Sequence, residues 1–164
     1  MKLKLLLNFC LLAWGSVYAQ NTTDKTNITG TYTLVLVDNI KANGSRVHLY
    51  GDRPQGILVL DTAGHYVLEI VSEGRPKFVS GDKSKGTDEE NHLAIQGCNA
   101  HFGRYMIDNM NHTITFLIDH ASFPNWENTK QVRPFDFDGK VLKYSVPSPT
   151  SGGAVTGEVV WKKE

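Results

Sequence analysis

The sequence predicts an all-β domain, an antiparallel barrel carrying one short helix, and three observations lead to it. Short runs rich in β-branched and aromatic residues recur along the chain, glycine-bearing turns separate them, and apolar and polar side chains alternate within them. The runs are Thr31 to Val37, Arg46 to Tyr50, Gly56 to Leu60, His65 to Ser72, His101 to Ile107, His112 to His120, Gln131 to Phe137, Val141 to Val146 and Val155 to Trp161. Asn43-Gly44, Ala63-Gly64 and Asp138-Gly139 supply the positive φ angles that tight hairpins demand, so consecutive runs are expected to pair antiparallel. In Thr113-Ile114-Thr115-Phe116 the threonines take one face and the apolar side chains the other, which sequesters one face of the sheet.

One stretch breaks this rhythm. Thr87 and Glu90 stand three apart, a spacing at which the hydroxyl and the carboxylate each satisfy a free backbone N–H at a helix start. The helix should run to about Gln96 and stop at Gly97, with Leu93 and Ile95 as its anchors on the barrel.

The ends of the chain set its context. Lys2 and Lys4 precede an apolar run from Leu5 to Trp14, and Val17-Tyr18-Ala19 offers small residues for cleavage, so residues 1–19 read as a signal peptide. The expected product is secreted, or periplasmic in a bacterium. Residues 20–29 are polar and Thr/Asn-rich, a flexible lead-in, and the barrel domain should occupy 30–164. Asn-x-Ser/Thr sequons at Asn21, Asn27, Asn43 and Asn111 fall in the expected tail and turns, making this a candidate glycoprotein.

Losing residues 1–19 removes Lys2 and Lys4 but no acid from 17 basic and 17 acidic side chains, leaving a charge of −2. That balance, with no basic run, argues against nucleic acid and against an anionic membrane surface as partners. A chain of about 145 residues makes one domain able to bury a core without staples. Cys10 leaves with the leader and lacks the small-residue context of a lipid-attachment site, so Cys98 stands alone without a disulfide partner.

Several motifs then line up. Gly30-Thr31-Tyr32 resembles the Gly-x-Trp opening of lipocalin-like barrels. Pro54-Gln55-Gly56 and Gly64-His65-Tyr66 are similar to a Pro-x-Gly strand entry and an Asp-Gly-Tyr turn, with His65 displacing the tyrosine. Gly74-Arg75-Pro76, Phe78, Gly86-Thr87-Asp88-Glu89-Glu90 and Gly103-Arg104-Tyr105 look like a central segment. Phe123-Pro124-Asn125-Trp126 with Thr129, Gln131 and Arg133 resembles a Pro-Asn-Trp-x-Gly-Thr-x-Gln-x-Arg segment, where Asn128 takes the glycine position. Trp161 fits the closing strand. These motifs together resemble the lipocalin-like domain proteins of bacteria and fungi over nearly all of residues 30–164. The resemblance implies a calycin-type barrel that binds small apolar molecules, in some fungal members within polyketide or terpenoid pathways. Many members carry histidines about where Phe116 and Leu117 stand here, so a function resting on them would not transfer.

In a small barrel alternate residues line one interior. His65, Val67 and Glu69 share one face of their run while Tyr66, Leu68 and Ile70 share the other, and periodicity leaves open which set is interior. Three readings follow. The first is a secreted barrel that holds a small hydrophobic metabolite without a cofactor, with Tyr105, Trp126 and Arg133 in or beside its cavity. The second is a cofactor-free isomerase, cyclase or dehydratase acting on a polyketide- or terpenoid-like substrate, with His65, Glu69, His101 or His120 as acid or base. A third is an interaction protein whose barrel is filled by side chains. For Arg133 the choice lies between packing across Trp126 at the closed end of the barrel and binding a ligand oxygen. The six histidines show no metal-ligand spacing, so no metal is expected.

Overall fold

The computed structural model describes residues 27–151 and 153–164. The expected leader and the sequon at Asn21 lie outside the described residues. Nine strands follow one another: β1 (Gly30–Ile40), β2 (Arg46–His48), β3 (Gln55–Leu60), β4 (His65–Val71), β5 (Cys98–Asp108), β6 (Thr113–Ala121), β7 (Thr129–Phe137), β8 (Val141–Pro147) and β9 (Thr156–Lys163). All pairings are antiparallel, and β1 pairs with β3 on one edge and β9 on the other, so eight strands close into a barrel. Strand β2 is a short flap beside the far end of β1. The turn glycines adopt the predicted conformation, with φ of 81° at Gly44, 86° at Gly64 and 96° at Gly139.

Helix α1 (Asp88–Gln96) lies between β4 and β5 and starts as its sequence dictates. The Thr87 hydroxyl accepts from the Glu90 N–H and the Glu90 carboxylate accepts from the Thr87 N–H, a complete capping box. Leu93 and Ile95 do not anchor it, however: both are exposed, and no helix residue is buried. The same Glu90 accepts from the Val79 N–H, so capping and loop contacts hold the helix rather than an apolar stripe. The lead-in also departs from expectation at its end. Ile28 is buried, and the Tyr32 hydroxyl donates to its carbonyl at 2.5 Å, so packing begins before Gly30.

Two local irregularities decide which side chains face inward. In β1 a bulge between Leu34 and Leu36 against β9 inserts one residue, which reverses the alternation. Tyr32 and Leu34 therefore point inward on one side of it, and Val37 and Asn39 line the interior on the other. Asp38 consequently faces outward. There it takes Arg46 at 3.0 Å and His48 at 2.6 Å, while Arg46 reaches Glu158 at 2.8 Å. This cluster pins β2 to the wall. In β5, Gly103 meets a second irregularity against β6; a Cβ there would stand 2.1 Å from the Leu117 carbonyl oxygen, so only glycine fits.

Asn128 shows why its position tolerates a departure from glycine. Its φ is 57°, in the left-handed region that Asn enters more readily than other side chains, and its N–H donates to the Ile118 carbonyl at 2.9 Å to close the β6–β7 turn.

Candidate functional site

The barrel interior divides along its axis. At the end where β1 begins and β9 finishes, the buried side chains Tyr32, Leu60, Ile114, Phe135, Leu142 and Trp161 pack the lumen. At the opposite end a cavity of about 360 Å³ opens between the strands. Its floor is apolar, built from Leu68, Ile70, Phe116 and Val159, and its upper wall carries Asn39, His101, Gln131, Arg133 and Tyr144. Trp126, on the 3-10 turn Pro124–Trp126, stands at the rim with Tyr50 and residues 147–151. The Asn39 side chain donates to the Ser151 carbonyl at 2.9 Å, which ties that rim loop to the wall. Such a volume, with a few polar groups on an apolar lining, fits a small organic guest.

His101 is the most constrained polar residue in the cavity. It is 6% exposed, its ring lies edge-on to Tyr66, Phe116 and Trp126, and its Nδ1 is 2.7 Å from the Tyr66 hydroxyl. Burial and the nearby Arg133 charge push its pKa down to about 4, so the ring is neutral at pH 7. The Tyr66 hydroxyl has no other acceptor among the described residues. It therefore donates to Nδ1, and the ring keeps its own proton on Nε2 as a donor. Burial also raises the Tyr66 pKa, and it raises that of Tyr144 to about 12, so both hydroxyls stay protonated.

Arg133 projects from β7 into the same space. Its Nη2 donates to the Gln131 side-chain oxygen two residues earlier, and among the described residues no carboxylate pairs with it. Burial lowers its pKa, the signature of a cation held away from water. It does not pack across Trp126 at the closed end. The cation there is Lys163, whose Nζ lies 5.9 Å from the Tyr32 ring centre and 5.7 Å from that of Phe137.

The structure thus brings together three of the seven candidate residues: His101, Trp126 and Arg133. Tyr105 is elsewhere. It faces inward near the closed end, where its hydroxyl donates to the Asp61 carbonyl at 2.8 Å. His65 and Glu69 lie on the outer wall, because Tyr66, Leu68 and Ile70 are the buried set of β4. His65 there sits 3.0 Å from Asp61. His120 is exposed beside Phe102 and Glu127, 3.3 Å from the latter. Asn27, Asn43 and Asn111 are all exposed. Among the described residues no group of His, Cys, Asp and Glu is placed to hold a metal, and no helix is long and apolar enough to cross a membrane.

An antiparallel eight-stranded barrel with one short helix, packed at one end and hollow at the other, has the architecture of the lipocalin-like barrels. The chain matches the lipocalin-like domain family over residues 29–164 and belongs to it. It is also similar to the 4'-hydroxy-3'-methoxypropiophenone carrier protein of Aspergillus oryzae, 27% identical over 103 residues that span 58% of this chain and 93% of that protein.

Asn39, Gln131 and Tyr144 were not singled out from the sequence. Gln131 lay inside the Pro-Asn-Trp segment and could have been read two residues from Arg133 on the same strand face. Asn39 had no such signal, since the bulge that turns it inward depends on pairing with β9.

Proposed function

We propose that the protein is a binding barrel that holds a small, largely apolar metabolite in its open-end cavity. The observation that carries this reading is the cavity of about 360 Å³ at one end of the lumen, where an apolar floor and a polar wall meet. A guest lies with its hydrocarbon body on Leu68, Ile70, Phe116 and Val159 and its oxygen atoms toward His101 and Arg133. The similarity to a carrier of a phenolic ketone supports a secondary-metabolite setting and an aromatic ketone as guest. The reading extends to export: Lys2, Lys4 and the run Leu5 to Trp14 support removal of residues 1–19 and secretion of the remainder. The exposure of Asn27, Asn43 and Asn111 supports their use as glycosylation sites.

Acid/base conversion is the weaker reading, because His101 is the one candidate base among the four with its ring in the cavity, and a histidine neutral down to about pH 4 accepts protons poorly.

The test is a titration of the isotope-labelled protein with 4'-hydroxy-3'-methoxypropiophenone and other aromatic ketones. Saturable one-to-one binding with backbone shifts on Asn39, His101, Phe116 and Arg133 is expected, and the ketone should be recovered unchanged. Shifts confined to the outer wall, or no saturable binding by any ketone, would overturn the proposal.

A further inference from the structure

Arg133 presents an electrostatic problem that the binding reading alone does not solve. A guanidinium carries five N–H donors, and here Gln131, a neutral amide, is its hydrogen-bond partner among the described residues. Removing a cation from water without an opposing charge is costly, and a folded site recovers that cost when an anion arrives. The charged and titratable groups lining the cavity are Asp38, Tyr50, His101, Lys130, Arg133 and Tyr144. Asp38 is the sole acid of that set, and both its carboxylate oxygens are engaged on the outer face, Oδ1 by His48 and Oδ2 by Arg46. Lys130 adds a second cation at the rim, one strand position before Gln131. Among the described residues the lining therefore offers positive charge and N–H donors to a guest and no free carboxylate.

Resting on the binding reading above, we propose that the guest is taken up as an oxygen anion, with the Arg133 guanidinium as its counter-ion and the apolar floor beneath its flat body. The chemical class is an acidic oxygen attached to an apolar, conjugated frame: a phenolate or enolate on one hand, a carboxylate on the other. The planar fork of Arg133 matches the in-plane lone pairs of either. His101, donating through Nε2, is suited to a second, neutral oxygen of the same guest.

Three probes separate these sources: 4-hydroxyacetophenone, whose phenol ionises; 4-methoxyacetophenone, of the same frame but unable to ionise there; and 4-methoxybenzoate, a carboxylate. Each is titrated into the wild-type protein and into Arg133→Gln and Arg133→Lys, whose folding is checked by circular dichroism. For 4-hydroxyacetophenone the phenolate absorption band is followed against pH, free and bound. Preferential capture of the anion should lower the phenol's pKa in the complex by about one unit, equivalent to about tenfold tighter binding of the phenolate. Arg133→Gln should abolish that shift, and Arg133→Lys should keep part of it. A carboxylate-selective site gives instead about tenfold tighter binding of 4-methoxybenzoate than of the methoxy ketone, again lost in Arg133→Gln. Either pattern supports the proposal. It is overturned if all three probes bind alike, or if Arg133→Gln folds and retains the anion preference, and the binding reading then survives. If none of the three binds to the wild-type protein, both fall together. Should Arg133→Gln fail to fold, Arg133→Lys decides: an undiminished shift with the compact ammonium removes the guanidinium fork from the argument.

Discussion

The two ends of the barrel are built from the same strands and solve opposite problems. Toward Trp161 the inward side chains are large and apolar, and where a charge comes near, Lys163 lies over the rings of Tyr32 and Phe137 rather than inside. Toward Arg133 the same strands supply Asn39, His101, Gln131 and Tyr144, which cannot interdigitate as a dry core, and a cavity remains. The difference teaches that stability and recognition are separated along one axis. The packed half bears the fold, and the hollow half can afford groups that packing alone would not select.

The largest expected effect tests that separation directly. Trp161 is fully buried at the packed end, so Trp161→Ala should cost about 3–5 kcal/mol in urea unfolding, and Leu142→Ala about 2–5 kcal/mol. Val146, partly buried and already bordering the cavity, has less packing to lose; Val146→Ala should cost under about 1 kcal/mol. Equal losses at the two ends would erase the distinction.

A second prediction concerns the pH dependence of the hollow half. The His101 pKa falls from 6.5 in the unfolded chain to about 4 in the fold, so between those values the unfolded chain binds the extra proton. Its neutral burial thus contributes fully above about pH 6.5, and that contribution is lost as pH falls toward 4. The loss should reach about 3 kcal/mol across the window, by the conversion of about 1.4 kcal/mol per pKa unit. Unfolding curves of wild type and His101→Phe at pH 7.5 and pH 4.5 check it. The variant should lose most of the acid sensitivity, and an unchanged difference between the two pH values would remove His101 as its source.

The turns, α1 and the strand order from β3 to β9 were legible in the sequence because each rests on local chemistry: glycine-bearing turns, the Thr87–Glu90 capping box, and alternation within single runs. The expected pairing of consecutive runs fails at β2, which pairs with β1 and not with β3. The site was legible only in part. Trp126 and Arg133 stood out in one dense motif, whereas Tyr105 was assigned to the cavity and lies near the opposite end. Tyr105 and His101 share an inward face, but four residues at about 3.3 Å each carry Tyr105 ~13 Å along the strand. Position along the barrel axis depends on register with β4 and β6, which one strand's sequence does not encode. The same holds for β4, where His65, Val67 and Glu69 alternate as regularly as Tyr66, Leu68 and Ile70. The second set is the buried one, and within it Tyr66 packs against His101 and Phe116 inside the barrel.

Between core and surface lies the β6–β7 turn. Asn128→Gly should leave stability within a few tenths of a kcal/mol of wild type, since both residues enter positive φ, while Asn128→Val should cost about 1–2 kcal/mol. Thermal melts of the two variants measure the difference. This turn joins the Trp126 rim to the Arg133 strand, so Asn128→Val should also weaken guest binding where Asn128→Gly does not.

The smallest effects are expected on the outer wall. His65, Glu69 and His120 are exposed, and their side-chain partners, where present, are surface carboxylates: Asp61 for His65 and Glu127 for His120. Exposed pairs of this kind contribute about 0–1 kcal/mol. His65→Ala, Glu69→Gln and His120→Ala should each change stability by no more than about 0.5 kcal/mol. Guest affinity should stay at the wild-type value in all three, because the barrel wall separates them from the cavity. A loss of affinity in His65→Ala or Glu69→Gln would mean that β4 presents its other face to the lumen when a guest is bound. That outcome would require a one-residue slip against both β3 and β5, turning Tyr66, Leu68 and Ile70 out into water.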